Sequence, residues 1–168
     1  MRPIRDGIGT LTEGDVQQFD RLLSSFVAEA RAFCAVLVDR SGRQITKAGN
    51  TAALDAATFA SLVAGDFAAS DQLARILGEE EFSSLYHAGE GNSMFLTDVH
   101  GWGILAALFD GKTTLGMVRL RCKLVVPKLA AVFAQIATRP KQSALSLGMD
   151  NNWLNEAEDE IDRLFGAD

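Results

Sequence analysis

The chain has 168 residues, enough for one domain that buries roughly 70% of its unfolded surface. Apolar residues make up 48% and charged residues 23%, which excludes collagen, wholesale disorder and a coiled-coil rod. The net charge of −6 argues against nucleic acid as the main partner. All of the excess negative charge lies after Met149, because residues 150–168 contain seven acids and a single base.

Neither a targeting signal nor a membrane span is visible. No apolar segment follows the basic residues of the first eleven positions, and the longest unbroken apolar run is the six residues 104–109. A span needs about 20 such residues. We therefore expect a cytoplasmic protein. Cys34 and Cys122 are too few for a disulfide framework or a zinc site, and their apolar neighbours predict buried thiols.

The first three elements are predicted to be a helix and a β-hairpin. Thr12 and Asp15 form a weak capping box. Behind them, apolar residues recur at helical spacing: Val16, Phe19, Leu22, Leu23, Phe26, Val27 and Ala30. The β-branched run 33–38 then predicts a strand that turns at 39–42 and returns as a second strand over 44–48.

A second long helix is predicted over 54–77, with Gly78 as its C-terminal stop. It has two unlike faces. Large residues share the face that we expect to be buried: Phe59, Leu62, Val63, Leu73 and Leu77, with Phe67 at its margin. Small or polar residues share the opposite face: Ala57, Ser61, Ala64, Gly65, Ala68 and Gln72. Asp66 and Ser70 also point toward the large-residue face, which the sequence does not explain.

Three further strands are predicted over 82–88, 93–100 and 103–109, and a last helix from Thr113 or Thr114 to about Ala137. Pro127 must kink or interrupt that helix. The order α-β-β-α-β-β-β-α predicts an α+β fold, with a five-stranded, largely antiparallel sheet and helices on both faces. We divide the chain into an N-terminal extension (1–11), one domain (12–137), a linker (138–152) and an acidic amphipathic C-terminal helix (153–168).

Catalytic motifs are incomplete. Gly111-Lys112-Thr113 lacks the first glycine of a P-loop, because that position is Ala106, inside the most apolar strand. The elbow-like run 91–95 lacks its second glycine.

The other polar residues do not form a site by their spacing. His87 and His100 lack metal-ligand spacing, and the acids 79–81 are contiguous rather than opposed across a cleft. The basic group 119–123 has no interleaved aromatic residues that would suit nucleic acid. The sequence predicts no catalytic residue, no metal site and no cofactor, and therefore no enzyme.

Two features suit binding instead. An interior glycine costs about 1 kcal/mol in a helix, so Gly65 among small neighbours predicts close approach of another backbone. The alternative is that an alanine-rich exposed helix is merely a good helix former. The tail presents an apolar stripe among acids, which is typical of a helix that binds in a groove. That stripe consists of Trp153, Leu154, Ala157, Ile161, Leu164 and Phe165. Its alternative is docking onto the same subunit.

Several segments together resemble one protein family. These are residues 36–43 (VLVDRSGR), 60–65 (ASLVAG), 109–121 (FDGKTTLGMVRLR) and 161–165 (IDRLF). With the element order, they are similar to the Roadblock-type, dynein light chain-like superfamily, and locally to its bacterial gliding-motility branch, the MglB type. The resemblance implies a Roadblock/longin-like fold. Val126-Pro127 and Asp71-Gln72 depart from the family pattern.

The resemblance also implies a function. Members of this branch are homodimers that activate a small Ras-like GTPase of MglA type and set cell polarity and motility, without donating an arginine finger. One GTPase contacts both subunits, mainly through the paired second helices. Carried over to this chain, the partner-binding residues are Ser61, Ala64, Gly65, Ala68 and Gln72.

The C-terminal helix would add affinity or promote nucleotide exchange, through Trp153, Leu154, Ile161, Leu164 and Phe165. Localisation at a cell pole follows from the same resemblance. Two other interpretations stay open: a passive Roadblock scaffold, or a profilin-like sensor domain. A sensor needs a pocket with convergent polar groups, and none is visible in the sequence.

Overall fold

Three helices and five strands follow one another in the predicted order α-β-β-α-β-β-β-α. The computed structural model describes residues 11–52 and 54–139. Their elements are α1 (Glu13–Ala30), β1 (Cys34–Asp39), β2 (Gln44–Gly49), α2 (Ala56–Ile76), β3 (Ser84–Ala88), β4 (Asn92–Asp98), β5 (Gly103–Asp110) and α3 (Leu115–Thr138). The α+β prediction is confirmed. The predicted N-terminal extension up to residue 10, most of the linker and the C-terminal helix lie outside the described residues.

The helix ends follow local capping chemistry. Thr12 and Asp15 form the predicted capping box of α1, with the Thr12 amide donating to the Asp15 carboxylate at 2.8 Å. α2 begins at Ala56 rather than Leu54, because the Asp55 side chain accepts the Thr58 amide at 3.3 Å. Thr114 caps α3 by accepting the Met117 amide at 3.2 Å.

The strands form a single antiparallel sheet in the order β2-β1-β5-β4-β3. β3 begins at Ser84 instead of Phe82, and β4 ends at Asp98 rather than His100. Every residue of β1 is buried, which explains why its sequence is continuously apolar rather than alternating. β3 pairs with β4 alone among the described strands, so its other edge is open in the single chain.

Helices cover both faces of the sheet. α1 and α3 pack on one face, where Phe19 and Phe133 place their ring centroids 4.7 Å apart and Trp102 stacks on Phe133 at 5.9 Å. α2 packs on the other face, against Val36 and Ile104. Alternate residues of β1 and β5 therefore enter two separate cores.

α3 continues through Pro127 as an α-helix. Proline removes one helical hydrogen bond, since it has no N–H, and Pro127 itself lies on the exposed side of the helix. The neighbouring Val126 and Leu129 are buried, so core packing holds the helix together across the proline. The interruption that the sequence suggested does not occur.

Candidate partner-binding surface

The small-residue face of α2 is accessible in the single chain. Ser61, Gly65, Ala68 and Gln72 are exposed, and Ala64 is half-buried. A Cβ atom added at Gly65 would meet no heavy atom within 4 Å. All five predicted partner-binding residues of the domain therefore lie on one side of α2, and space is open above its backbone at Gly65. Whether a partner binds there stays a prediction.

The large-residue face of α2 is not the buried face that we expected. Leu62, Leu73 and Leu77 are 67%, 56% and 71% exposed, and Ile76 beside them is 79% exposed. The expectation of burial was wrong for the three leucines, and right for Val63 and Phe67. These four exposed residues, which we call the aliphatic row, continue the outer surface of α2 next to its small residues.

The residues on the core side of α2 explain why its leucines are exposed. Its buried residues are Ala60, Val63, Phe67, Ser70 and Ala74. Alanine and serine at three of those positions let the helix lie close to the sheet, while Phe67 supplies most of the apolar volume. Ser70, which the sequence left unexplained, is one of the small residues that permit this close packing.

Asp66 is explained by a contact with the edge strand. Its Oδ2 atom lies 2.6 Å from Nε2 of His87 on β3, and both side chains are partly exposed. Tyr86, next to His87, is 44% exposed and stacks on Phe109 with ring centroids 6.3 Å apart. α2 and the open edge of β3 are thus tied together at one side of the molecule.

Within the chain, a backbone approaches α2 closely at Ser61 and Ala64, not at Gly65. Gly42, in the turn between β1 and β2, has a φ of 87°. A Cβ there would lie 3.2 Å from the Cα of Ser61 and 3.5 Å from the Cβ of Ala64. Two of the small residues of α2 therefore make room for this turn, and Gly65, Ala68 and Gln72 remain available outside it.

Arg40 anchors α2 to the end of the sheet. Its guanidinium forms an ion pair with Asp98 and lies 3.6 Å from Oδ2 of Asp71 on α2. It also lies over the Phe67 ring, 5.4 Å from the centroid. Asp98 in turn accepts the Gly101 amide at 2.9 Å. Asp71, a departure from the family pattern, is thus used within the chain. No local pattern in the sequence points to Arg40, because both of its partners are distant along the chain.

Asp39 organises the turn that carries Arg40. Its carboxylate accepts the Ser41 hydroxyl at 2.6 Å, and the Arg43 amide and guanidinium at 2.9 Å and 2.8 Å. Burial opposes ionisation of this carboxyl, but the hydrogen bonds from Ser41 and Arg43 and the charge of Arg43 outweigh it. The pKa of Asp39 is therefore below its ordinary value.

Within residues 11–52 and 54–139, the His, Cys, Asp and Glu side chains form no group that could hold a metal ion. Cys34 and Cys122 are buried, as predicted, and burial raises the pKa of both thiols, that of Cys122 to about 12. The helices of this region are all too short or too polar to cross a bilayer.

The predicted C-terminal binding residues lie outside the described residues. They are Trp153, Leu154, Ile161, Leu164 and Phe165.

Comparison with known proteins gives consistent results. The Roadblock/LC7 domain family matches residues 18–109. Myxococcus xanthus MglB is 33% identical to the chain, and its structure superposes with a TM-score of 0.73. The match covers 78% of this chain and 98% of the MglB chain. The gliding protein MglB from Thermus thermophilus is 29% identical, with coverage of 75% and 96% and a TM-score of 0.70.

A third structure, an MglB with a tetrameric arrangement, is 27% identical, with coverage of 76% and 96% and a TM-score of 0.69. None of the curated proteins compared with the chain matches it significantly.

Proposed function

The chain belongs to the Roadblock/LC7 family, and from that premise we propose that it is a homodimeric activator of a small Ras-like GTPase of MglA type. The observation that carries the proposal is the outer surface of α2, where small residues lie beside the aliphatic row. In this proposal the surface supplies binding area, and the protein acts by binding and repositioning the GTPase's own residues.

The aliphatic row supports self-association. Leu62, Leu73, Ile76 and Leu77 each expose more than half of their surface, and burying a leucine completely stabilises by roughly 1.5–3 kcal/mol. The open edge of β3 lies next to α2, joined to it by Asp66 and His87. A second copy that pairs along β3 and packs its own α2 against this row would cover both features at once.

The small residues support a separate contact with the GTPase. Gly65, Ala68 and Gln72 are exposed. Because Gly65 and Ala68 carry no bulky side chain, a partner can reach the helix backbone there. A dimer that joins its aliphatic rows places two such surfaces side by side. One GTPase then contacts both subunits, and its switch segments can approach the paired helices closely.

Stimulation of GTP hydrolysis tests this proposal. The protein alone should not hydrolyse GTP, and adding it should increase turnover by an MglA-type GTPase. Ala68→Arg should abolish the increase, because a long charged side chain prevents close approach to α2. Ala131→Arg is the matched control, since Ala131 is also exposed but lies on α3, on the opposite face of the sheet.

The outcomes separate activator from scaffold. Full activation by Ala68→Arg would show that the assigned surface is wrong. Binding of the GTPase by the wild-type protein without any change in turnover would identify a passive scaffold instead.

The dimer is tested independently with Leu73→Glu. A charge in the middle of the aliphatic row should produce a monomer in sedimentation experiments, while the circular dichroism spectrum stays that of the wild type. A wild-type protein that sediments as a monomer of 18.1 kDa at micromolar concentration would contradict the dimer directly.

The C-terminal segment adds a second contact in this proposal. Acidic residues accompany its apolar stripe in the sequence, and they suit a basic surface on the GTPase away from its active site. These acids are Glu156, Glu158, Asp159, Glu160 and Asp162. A protein ending at Met149 should still fold and stimulate hydrolysis at high concentration. It should bind the GTPase more weakly at low salt or lose any exchange activity, and unchanged affinity and exchange would exclude this role.

A further inference from the structure

A cavity of about 540 Å³ lies between α3 and the β3–β4 side of the sheet. Its walls include Phe95, Cys122 and Val126, which belong to the core shared by α1 and α3. It is therefore on the opposite face of the sheet from α2, away from the proposed GTPase contact. Its volume falls within the range of small-molecule sites, roughly 300–1,000 Å³. The sequence pattern showed no sign of such a pocket.

Two cations of α3 enter this cavity. Arg119 and Lys123 are one helical turn apart and both line it. The Arg119 guanidinium lies 5.6 Å from the centroid of the Phe95 ring, a contact that orients it within the cavity. Arg121, between them in sequence, points away and pairs with Glu29 on α1 at 3.0 Å. The helix thus sorts its basic residues onto two sides.

Of the two acids that line the cavity, one is held by a cation outside the lining. α3 itself contains no aspartate or glutamate between Leu115 and Thr138. Asp98 lines the cavity, but its carboxylate is already matched by Arg40 and by the Gly101 amide. Glu81 is the other acid in the lining. Arg119 and Lys123 therefore face one acid of the lining, Glu81, that Arg40 does not hold.

Apolar and hydroxyl groups complete the lining. The exposed Pro127 ring offers an apolar surface beside the buried Phe95 and Val126, and Ser84 and Thr97 offer hydroxyl groups. Pro127 has no N–H, so the Lys123 carbonyl beside it has no i+4 amide partner in the helix. An apolar wall with a few converging polar groups is the usual composition of a small-ligand pocket.

We propose that this cavity binds a small organic anion: an aromatic group carrying one phosphate or carboxylate. The anionic end pairs with Arg119 and Lys123, and the ring packs against the exposed Pro127. This inference does not depend on the GTPase function, because the cavity and α2 lie on opposite faces of the sheet. It gives the domain a ligand-sensing capacity in addition to partner binding.

Calorimetric titration of the full chain with phenyl phosphate at low salt tests the proposal. We expect saturable binding with a Kd below about 1 mM. Inorganic phosphate and benzyl alcohol, which keep the charge or the ring alone, should each bind at least about tenfold more weakly. Replacing Arg119 and Lys123 together by alanine should weaken phenyl phosphate binding by at least about tenfold.

Two further variants make the test specific. Arg121→Ala removes the same charge from the other side of α3, and it should leave the affinity unchanged. Ser83→Tyr keeps every charge but fills part of the cavity, and it should weaken binding. No saturable binding of phenyl phosphate, or equal losses from Arg121→Ala and from the double replacement, would overturn the proposal. The double replacement should still stimulate GTP hydrolysis, so the two proposals can fail separately.

Discussion

Replacing Arg40 by methionine should destabilise the fold by about 3 kcal/mol. The methionine retains apolar volume over the Phe67 ring but removes the positive charge that faces Asp98 and Asp71. The Asp98 side chain is only 6% exposed, so its buried carboxylate would lose the charge of Arg40. Removing one partner from a buried pair costs about 3–5 kcal/mol. We expect the lower end, because Arg40 itself is 22% exposed.

Urea denaturation at a fixed protein concentration measures this cost, since the stability of the proposed dimer depends on concentration. A thermal scan should show the melting temperature lowered by about 6–12 °C. Arg43→Met is the matched control. That guanidinium pairs with Asp39 but is 72% exposed, so its removal should cost about 1 kcal/mol or less.

A second replacement tests the mechanism. Arg40→Met combined with Asp98→Asn should recover part of the loss, because the asparagine removes the buried charge that Arg40 faced. Our reasoning is refuted if Arg40→Met costs no more than Arg43→Met, or if the Asp98→Asn replacement only adds to the damage.

Three other outcomes follow from the structure. Gly49→Ala should lower the free energy of unfolding by roughly 2 kcal/mol or more. The φ of Gly49 is 86°, and the new Cβ would lie 2.3 Å from the Phe33 carbonyl oxygen. A denaturation midpoint equal to that of the wild type would disprove this. Folding lowers the pKa of Asp39, so its ionised carboxylate stabilises the fold above about pH 4. This stabilisation is lost as the pH falls through the pKa of the folded state. Asp39→Asn should therefore make the free energy of unfolding less dependent on pH at the acid end of a profile measured from pH 2 to 7. Cys34 and Cys122 should resist a thiol reagent at pH 8 in the folded protein and react after unfolding; rapid reaction of either in the folded state would contradict their burial.

The sequence was sufficient for the fold because its local signals agree. The Thr12–Asp15 capping box, the glycine turns and the continuous apolar runs of β1 and β5 each specify one element, and their order admits few topologies. The observed ends of the elements differ by a few residues from the predicted ends. At the start of α2, the difference follows from the hydrogen bond that the Asp55 side chain accepts.

The predicted buried face of α2 was wrong for its leucines, and the reason is physical. Hydrophobic periodicity shows which residues avoid water, but it does not show which protein surface covers them. In α2 the core requires small residues such as Ala60 and Ala74 for close packing, while Leu62 and Leu73 are exposed in the single chain. In the proposed dimer, α2 is buried on two sides and has no single apolar face for the pattern to identify.

The cavity and the Arg40 anchor could not be predicted because they depend on long-range contacts. Arg119 and Lys123 were seen only as a small basic group, and nothing local separates them from Arg121. The distinction arises when α3 packs between α1 and the edge of the sheet, so that one side of the helix meets Glu29 and the other faces Phe95.

The strand order also sets a sequence of events for folding during synthesis. β1 bonds β2 on one side and β5 on the other, and β5 is made only after α2, β3 and β4. Until β5 leaves the ribosome, the β1–β2 hairpin has an unpaired apolar edge, and α1 lacks α3, its partner on the same face. Closing such a distant pair is slow, and exposed strand edges associate with other chains. A nascent chain arrested before residue 103 should therefore bind chaperones, and one extended past α3 should be released from them.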